Sequence, residues 1–246
     1  MTTVLQIRER LIADREIISL LDSYRLLPQF LSELVIEQYV DSFTCTIEEL
    51  DRAYQQFWQQ HRITTDKERQ SWLEENYLTL KQLKDLVKRK LEIEKFKQAQ
   101  WNHQVDSYFH QRKRQLDRVI YSLIQTSDEG LAAELYFRIQ EKEASFAELA
   151  RQYSQGLNSH SGGLIGPIEL GSCPLPLAKM LSVSHASQLW PPIQIGKSIV
   201  IVRLEKFIPA QLNQYMRQRL LDEIFSIWLK KQVKQLYSAN YLKAIA

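Results

Sequence analysis

Glycine and proline are concentrated in one segment of this chain. Residues 159–181, SHSGGLIGPIELGSCPLPLAKML, hold four of the seven glycines and three of the seven prolines. Residues 1–117 contain one proline and no glycine, and they are rich in Leu, Glu, Gln, Lys and Arg. Because glycine and proline interrupt helices more strongly than other residues do, the sequence predicts a helical first part and a different architecture around residues 159–181.

Three capping boxes predict where helices of the first part begin. In each, a threonine is followed three residues later by Glu or Gln, the spacing at which the two side chains satisfy each other's free backbone N–H groups. The pairs are Thr46 with Glu49, Thr65 with Glu68, and Thr79 with Gln82. Apolar residues follow at helical spacing, so we predict a helical domain over residues 1–117.

Residues 118–208 change to an α+β pattern. The stretch RVIYSLIQ is short, apolar and β-branched, as in a strand, and two helical stretches follow it. The glycine-rich segment then leads into a strand and a short helix, and QLWPPIQI and KSIVIVRLEKF predict two strands around a turn at Gly196. The order of elements favours a small antiparallel sheet with helices.

Residues 209–246 return to a helical pattern with one broad apolar face. A face of this width needs a partner, and the helical first part is the obvious one. We therefore predict three segments: a helical domain over 1–117, an α+β domain over 118–208, and a C-terminal helix over 209–246 that packs on the first domain.

Composition and charge restrict the functional classes. The net charge is +3, which does not call for nucleic acid or for an anionic membrane, and no apolar run is long enough to span a bilayer. Cys45 and Cys173 form no disulfide framework, and six of the first 16 residues are charged, which argues against a signal peptide. His103 and His110 would lie about 10 Å apart on a helix, too far to share one metal. We expect a cytoplasmic protein without a metal or cofactor, without nucleic acid and without membrane insertion.

The second segment resembles a known family. SFAELARQYSQGLNSHSGGLIGPIELGSCPLPLAKML, followed by LWPPIQIGKSIVIVRLEKF, is similar to the parvulin-type (PpiC, rotamase) peptidyl-prolyl isomerase domain, with its F-x-x-L-A-x-x-Y-S and G-G-x-L-G segments, short helix and final hairpin. The helical flanks resemble the chaperone part of SurA-type and PrsA-type proteins. The resemblance implies an α+β protein in which a parvulin-like domain is inserted into a helical SurA-like domain.

The resemblance also implies site positions, several of which have changed residue type. The family's first-strand histidine falls on Tyr121, its last-strand histidine on Ser198, and its Cys or Asp near Gly156. Tyr121 and Ser198 are therefore the candidate catalytic positions, in a degenerate form that we expect not to be competent. The apolar residues of the family's proline slot persist as Ile165, Cys173 and Leu177. With Trp190 and Ile195 they form the predicted peptide-binding set.

These features lead to three functional hypotheses. The first is a chaperone or export-assisting factor that binds unfolded or proline-containing polypeptide with weak or lost isomerase activity, with a protein export system as a further candidate partner. The second is an active prolyl isomerase that uses altered residues, and the third is a scaffold whose parvulin domain docks a partner protein. A thiol hydrolase built from Cys173 with His160 or His185 lacks any motif or orienting Asn.

Overall fold

The structure, a computed structural model, describes the backbone of residues 3–7, 10–13 and 16–245 and the side chains of 12–13 and 16–238. The chain divides into two compact units, residues 1–105 with 217–246 and residues 106–216. The domain boundaries that the sequence predicts, at residues 117 and 208, remain predictions.

The first unit, here called the helical unit, begins with a short antiparallel hairpin and continues as helices. Its elements are β1 (Thr3–Ile7), β2 (Arg10–Ala13), α1 (Ile17–Ser23), α2 (Leu27–Val40), α3 (Ile47–Gln60), α4 (Asp66–Glu75) and α5 (Leu80–Trp101). The composition of residues 1–117 predicted helices throughout, so the hairpin is a difference from that prediction. TVLQI and RLIA are short and rich in β-branched or aliphatic residues, which is compatible with paired strands.

All three predicted capping boxes are present. The backbone N–H groups of Glu49, Glu68 and Gln82 donate to the hydroxyls of Thr46, Thr65 and Thr79, and the acidic or amide side chains accept from the threonine N–H groups in return. The helices α3, α4 and α5 therefore begin where the sequence predicted, because a capping box satisfies its backbone groups locally.

The second unit, here called the sheet unit, surrounds a four-stranded antiparallel sheet with strand order β4-β3-β6-β5. Its elements in chain order are α6 (Val105–Leu116), β3 (Arg118–Thr126), α7 (Glu129–Gln140), α8 (Phe146–Tyr153), β4 (Leu164–Glu169), α9 (Leu175–Val183), β5 (Leu189–Ile195) and β6 (Ser198–Ile208). Helices α7 and α8 pack on one face around Ile124 and Ile201. Helix α9 packs on the other face.

The chain then returns to the helical unit with α10 (Gln214–Ile245). Its residue Val233 is buried with Leu31 and Val35 of α2. The ring of Trp228 lies 5.0 Å from that of Tyr39 and 5.4 Å from that of Phe96, measured between centroids. The predicted α+β fold class, with N-terminal helices joined by the C-terminal helix, is confirmed.

A buried lysine links α5 and α10. The Lys97 side chain is 9% exposed and forms ion pairs with Glu94 on its own helix and with Asp222 on α10. Burial opposes its charge, but the hydrogen bonds that Lys97 donates to Asp222 and Glu94 outweigh that penalty, so the pKa of Lys97 is raised. Since separation of the two helices would remove one of the two partners of this buried charge, the contact favours keeping them together.

The glycine-rich segment allows β4 to approach β3 closely. Gly163 has φ +79°, and a Cβ there would lie 2.5 Å from the carbonyl oxygen of Leu123. Gly166 has φ +113°, and its Cβ would lie 2.5 Å from the carbonyl oxygen of Val119. Only glycine avoids both the backbone strain and the overlap at these positions. The concentration of glycine in this segment thus serves strand packing.

Candidate functional site

One apolar cluster lies between α9 and the sheet and is called here the α9-face cluster. Strands β3, β5 and β6 contribute alternate side chains to it, while α9 contributes Leu177 and Leu181. Its buried members are Val119, Tyr121, Leu170, Leu177, Leu181, Val200, Val202 and Leu204, and its half-buried members include Ile165, Cys173, Met180, Ile193 and Ile195. The structure therefore brings four of the five predicted peptide-binding residues, and Tyr121, into one cluster.

The exposure of these side chains separates core from surface. Leu177 is 2% exposed, so it is a packed core residue with almost no surface to offer a peptide. Ile165, Cys173 and Ile195 are half-buried and do present surface. The peptide-binding role of Leu177 stays a prediction, and the sequence could not distinguish the inner side of α9 from its accessible side.

Trp190 lies on the same face of the sheet. It pairs with Val202 across β5 and β6, and its indole Nε1 donates a hydrogen bond to Ser184 Oγ at 2.7 Å. Ser184 directly follows α9. The half-buried indole is therefore held at the end of α9, with Ile195 farther along the same strand.

Tyr121 and Cys173 are neutral groups in this cluster. Burial, together with a smaller contribution from the neighbouring Cys173, raises the pKa of Tyr121 to about 12. Burial also raises the pKa of Cys173, whose Sγ lies 3.8 Å from the carbonyl oxygen of Glu169. The site therefore offers a phenol and a thiol near neutral pH, without the charge of a phenolate or thiolate.

Strand register separates the two candidate catalytic positions. Tyr121 is opposite Leu204 of β6, and Ser198 begins that strand six residues earlier. At about 3.3 Å per residue the two positions are about 20 Å apart along the strand. Tyr121 and Ser198 therefore do not form one polar network.

Ser198 is instead paired with Gln125, a residue that the sequence reasoning missed. Gln125 Nε2 donates to Ser198 Oγ at 2.8 Å, and a Cβ at Gly156 would lie 3.3 Å from Gln125 Oε1. Gln125 is four residues after Tyr121 on β3, hence on the same face by the two-residue period of a strand. This period could have placed Gln125 on the same face as Tyr121 from the sequence alone.

A thiol hydrolase is not supported. The thiolate is the nucleophilic form of cysteine, and the raised pKa of Cys173 disfavours it. His160 and His185 are exposed, and among the described side chains neither is hydrogen-bonded to Cys173. Within the same described set, no group of three or more His, Cys, Asp or Glu residues could hold a metal ion.

Comparison with known families identifies this unit. Residues 125–206 match the Rotamase family, described as the PPIC-type PPIase domain. The chain contains a PPIC-type PPIase domain. The matched range of this PPIC-type domain includes Ser198 and the five predicted peptide-binding residues, and Tyr121 lies just before it.

Solved structures of similar chains come from several bacteria. The peptidylprolyl isomerase PrsA from Bacillus anthracis is 23% identical with a TM-score of 0.46, and the match covers 88% of this chain and 97% of that one. The parvulin domain of PpiD from E. coli is 30% identical with a TM-score of 0.35, covering 41% of this chain and 97% of that one. A structure from Campylobacter jejuni, described as one of two SurA-like chaperones, is 17% identical with a TM-score of 0.38. That match covers 97% of this chain and 98% of the other. No curated protein matches the chain in sequence.

Among the residues that the structure describes, no helix is both long enough and apolar enough to cross a bilayer.

The buried phenol makes stability depend on alkaline pH. Folding raises the pKa of Tyr121 from 10.0 to about 12, so the folded protein holds this proton more tightly than the unfolded chain does. The resulting stabilisation is complete below pH 10 and is lost as pH rises towards 12, about 3 kcal/mol in all.

We therefore expect the free energy of unfolding of the wild type, relative to that of Tyr121→Phe, to fall between pH 10 and 12. Denaturant titrations of both proteins across this range measure the difference, and the subtraction removes the contribution of other titrating groups. A difference independent of pH would contradict the burial of the phenol.

Proposed function

We propose that this protein binds extended or unfolded polypeptide as a chaperone, and that its PPIC-type domain isomerises X–Pro bonds weakly or not at all. The family match supports the membership of the domain in the isomerase family. The chaperone activity, the polypeptide client and the weak catalysis are the proposed steps. A protein export system as partner and the cytoplasmic location belong to the same proposal and await their own tests.

The observation that carries the proposal is the polar content of the α9-face cluster. Rotation about a peptide bond has a barrier of about 18–20 kcal/mol, and catalysis requires groups that favour the twisted amide over the planar one. Here the candidate groups are the neutral Tyr121 and Cys173. Ser198 lies about 20 Å away along β6 and is already hydrogen-bonded to Gln125.

The apolar part of the site supports retained binding. Ile165, Cys173, Ile195 and Trp190 keep half-buried surfaces on the α9 face of the sheet. An apolar site with few polar groups suits a proline ring or another apolar side chain. Such a site can hold a segment without lowering the barrier to rotation, because binding alone does not favour the twisted state.

The helical unit offers a second apolar surface. Leu26 at the N-cap of α2, with Phe30 and Leu34 on that helix, are spaced four residues apart and are 45%, 42% and 43% exposed. Side chains at this spacing form one stripe. Exposed apolar stripes mark interaction sites, and an unfolded polypeptide is the partner that the chaperone proposal assigns to this one.

A pair of measurements on one sample tests the proposal. The rate of cis-to-trans conversion of proline tetrapeptides should be roughly a hundredfold or more below that of an ordinary parvulin, since loss of one electrostatic donor costs about 10²–10³ in rate. The same sample should suppress aggregation of an unfolded client. Peptide binding that weakens on Ile195→Asp, with an unchanged melting temperature, would locate binding at the α9-face cluster.

Other outcomes favour the remaining functions. A wild-type rate close to that of ordinary parvulins, reduced in Tyr121→Phe, would establish an isomerase with altered residues. This second candidate draws support from the presence of the Tyr121 phenol and the Cys173 thiol in one cluster, where they interact electrostatically. Absence of both isomerase activity and aggregation suppression would reject the proposal and leave a docking scaffold.

A further inference from the structure

A groove in the helical unit runs between α2 and the C-terminal half of α10. Its volume is about 630 Å³. Pro28, Leu229 and Val233 form its apolar floor. Its remaining lining consists of Gln29, Ser32, Ser226, Lys230, Lys234, Tyr237 and Ser238.

The charged residues that line this groove are all basic. Lys230 and Lys234 are four residues apart on α10, so their ammonium groups project to the same side of the helix. Both are exposed, and within residues 16–238, whose side chains are described, neither forms an ion pair. The groove lining contains no acidic residue.

Acidic residues near the groove are already bound by other groups. Asp22 accepts a hydrogen bond from the Tyr237 hydroxyl at 2.7 Å. Glu33 on α2 is paired with Arg89 of α5 at 2.8 Å. Among the side chains that the structure describes, Lys230 and Lys234 therefore have no acidic partner, and their charge can pair with a partner from outside.

We propose that this groove binds an acidic amphipathic segment of another polypeptide. Apolar side chains of the segment contact Pro28, Leu229 and Val233, while its carboxylates pair with Lys230 and Lys234. Complementary charge raises the association rate and orients the segment. The inference rests on the proposed function in one respect, because it names the class of client that a chaperone of this kind would prefer.

Peptide titrations test the groove directly. The probes are a labelled short peptide of Leu, Phe and Glu with an amphipathic helical pattern, and a matched peptide in which every Glu is replaced by Lys. We expect the full-length protein to bind the acidic peptide about tenfold or more tightly than the basic one, with affinity falling as salt rises, since exposed charge pairs are screened. Equal affinity for the two peptides would overturn the inference.

Charge reversal locates the site. Lys230→Glu with Lys234→Glu should weaken binding of the acidic peptide about tenfold or more and strengthen binding of the basic one. Lys231→Glu is the matched control, because Lys231 is an exposed neighbour on α10 that does not line the groove. Equal losses in Lys231→Glu and in the double variant would contradict the groove as the site. The neutral pair Lys230→Gln and Lys234→Gln should show an intermediate loss if the reversed pair fails to fold.

Two further measurements distinguish other occupants of the groove from an acidic segment and test the proposed function separately. Binding of vesicles containing anionic lipid without binding of the acidic peptide would overturn the inference, as would self-association of the chain that the double charge reversal abolishes. Aggregation suppression is measured separately. If the protein binds the acidic peptide but does not suppress aggregation, the chaperone activity alone is rejected. If it suppresses aggregation but does not prefer the acidic peptide, the groove alone is rejected.

Discussion

Removal of residues 217–246 is expected to unfold the helical unit and to leave the sheet unit folded. The deleted segment carries Phe225 and Trp228, whose rings contact Phe96 and Trp101 of α5. It also carries Leu220 and Leu221, both 0% exposed. Truncation of one buried aromatic side chain costs about 3–5 kcal/mol, and whole domains are stable by only about 5–15 kcal/mol. The remaining helices therefore lose more stabilisation than a folded domain has to spare, and they should unfold.

The deletion would also remove one of the two ion-pair partners of a buried lysine. Lys97 loses Asp222, the partner on α10 that helps to keep it ionised in a buried setting. Lys97 then keeps only Glu94 on its own helix, which lowers the stability of the helical unit further. Both effects act on the helical unit, whereas residues 106–216 retain every strand of the sheet.

Thermal unfolding and hydrogen exchange measure the outcome. The truncated chain should lose protection in α2 to α5 and keep it in β3 to β6. Two substitutions in the full chain provide a matched comparison: Leu221→Ala at 0% exposure should cost about 2–5 kcal/mol, while Ile227→Ala at 56% exposure should cost about 1 kcal/mol or less. An unchanged melting curve after truncation would mean that α10 does not complete this core.

Gly163→Ala is expected to destabilise the sheet unit by about 2–5 kcal/mol, the sum of about 1–2 kcal/mol for a left-handed conformation and about 1–3 kcal/mol for overpacking. The new Cβ would lie 2.5 Å from the Leu123 carbonyl oxygen, which belongs to the central strand β3 and cannot move without disturbing the ladder. The free energy of unfolding of the sheet unit, from denaturant titration, gives the cost.

Gly196→Ala separates the two causes. Gly196 also has a positive φ, +63°, but nothing lies within 4 Å of its added Cβ. It should therefore cost only the conformational part, about 1–2 kcal/mol. Equal costs at the two positions would show that the close approach of β4 to β3 contributes nothing.

Local chemistry explains which elements the sequence predicts well. A capping box needs only residues three apart, so Thr46, Thr65 and Thr79 indicate helix starts without knowledge of the fold. The apolar face of α10 likewise predicts a partner, and α2 and α5 supply it. The hairpin of β1 and β2 was missed because the helical composition of residues 1–117 outweighed two short strands.

The sequence by itself thus determined the helix starts, since a capping box depends only on short-range spacing, and its resemblance to the parvulin-type domain indicated four residues of the α9-face cluster. Only the tertiary structure decided how the site is assembled. Strand register separates Ser198 from Tyr121 and places it beside Gln125, and packing of α9 buries Leu177 while leaving Ile165 and Ile195 half-exposed. Register and burial arise from contacts between residues far apart in the chain, so they cannot be predicted from the spacing of residues along one segment.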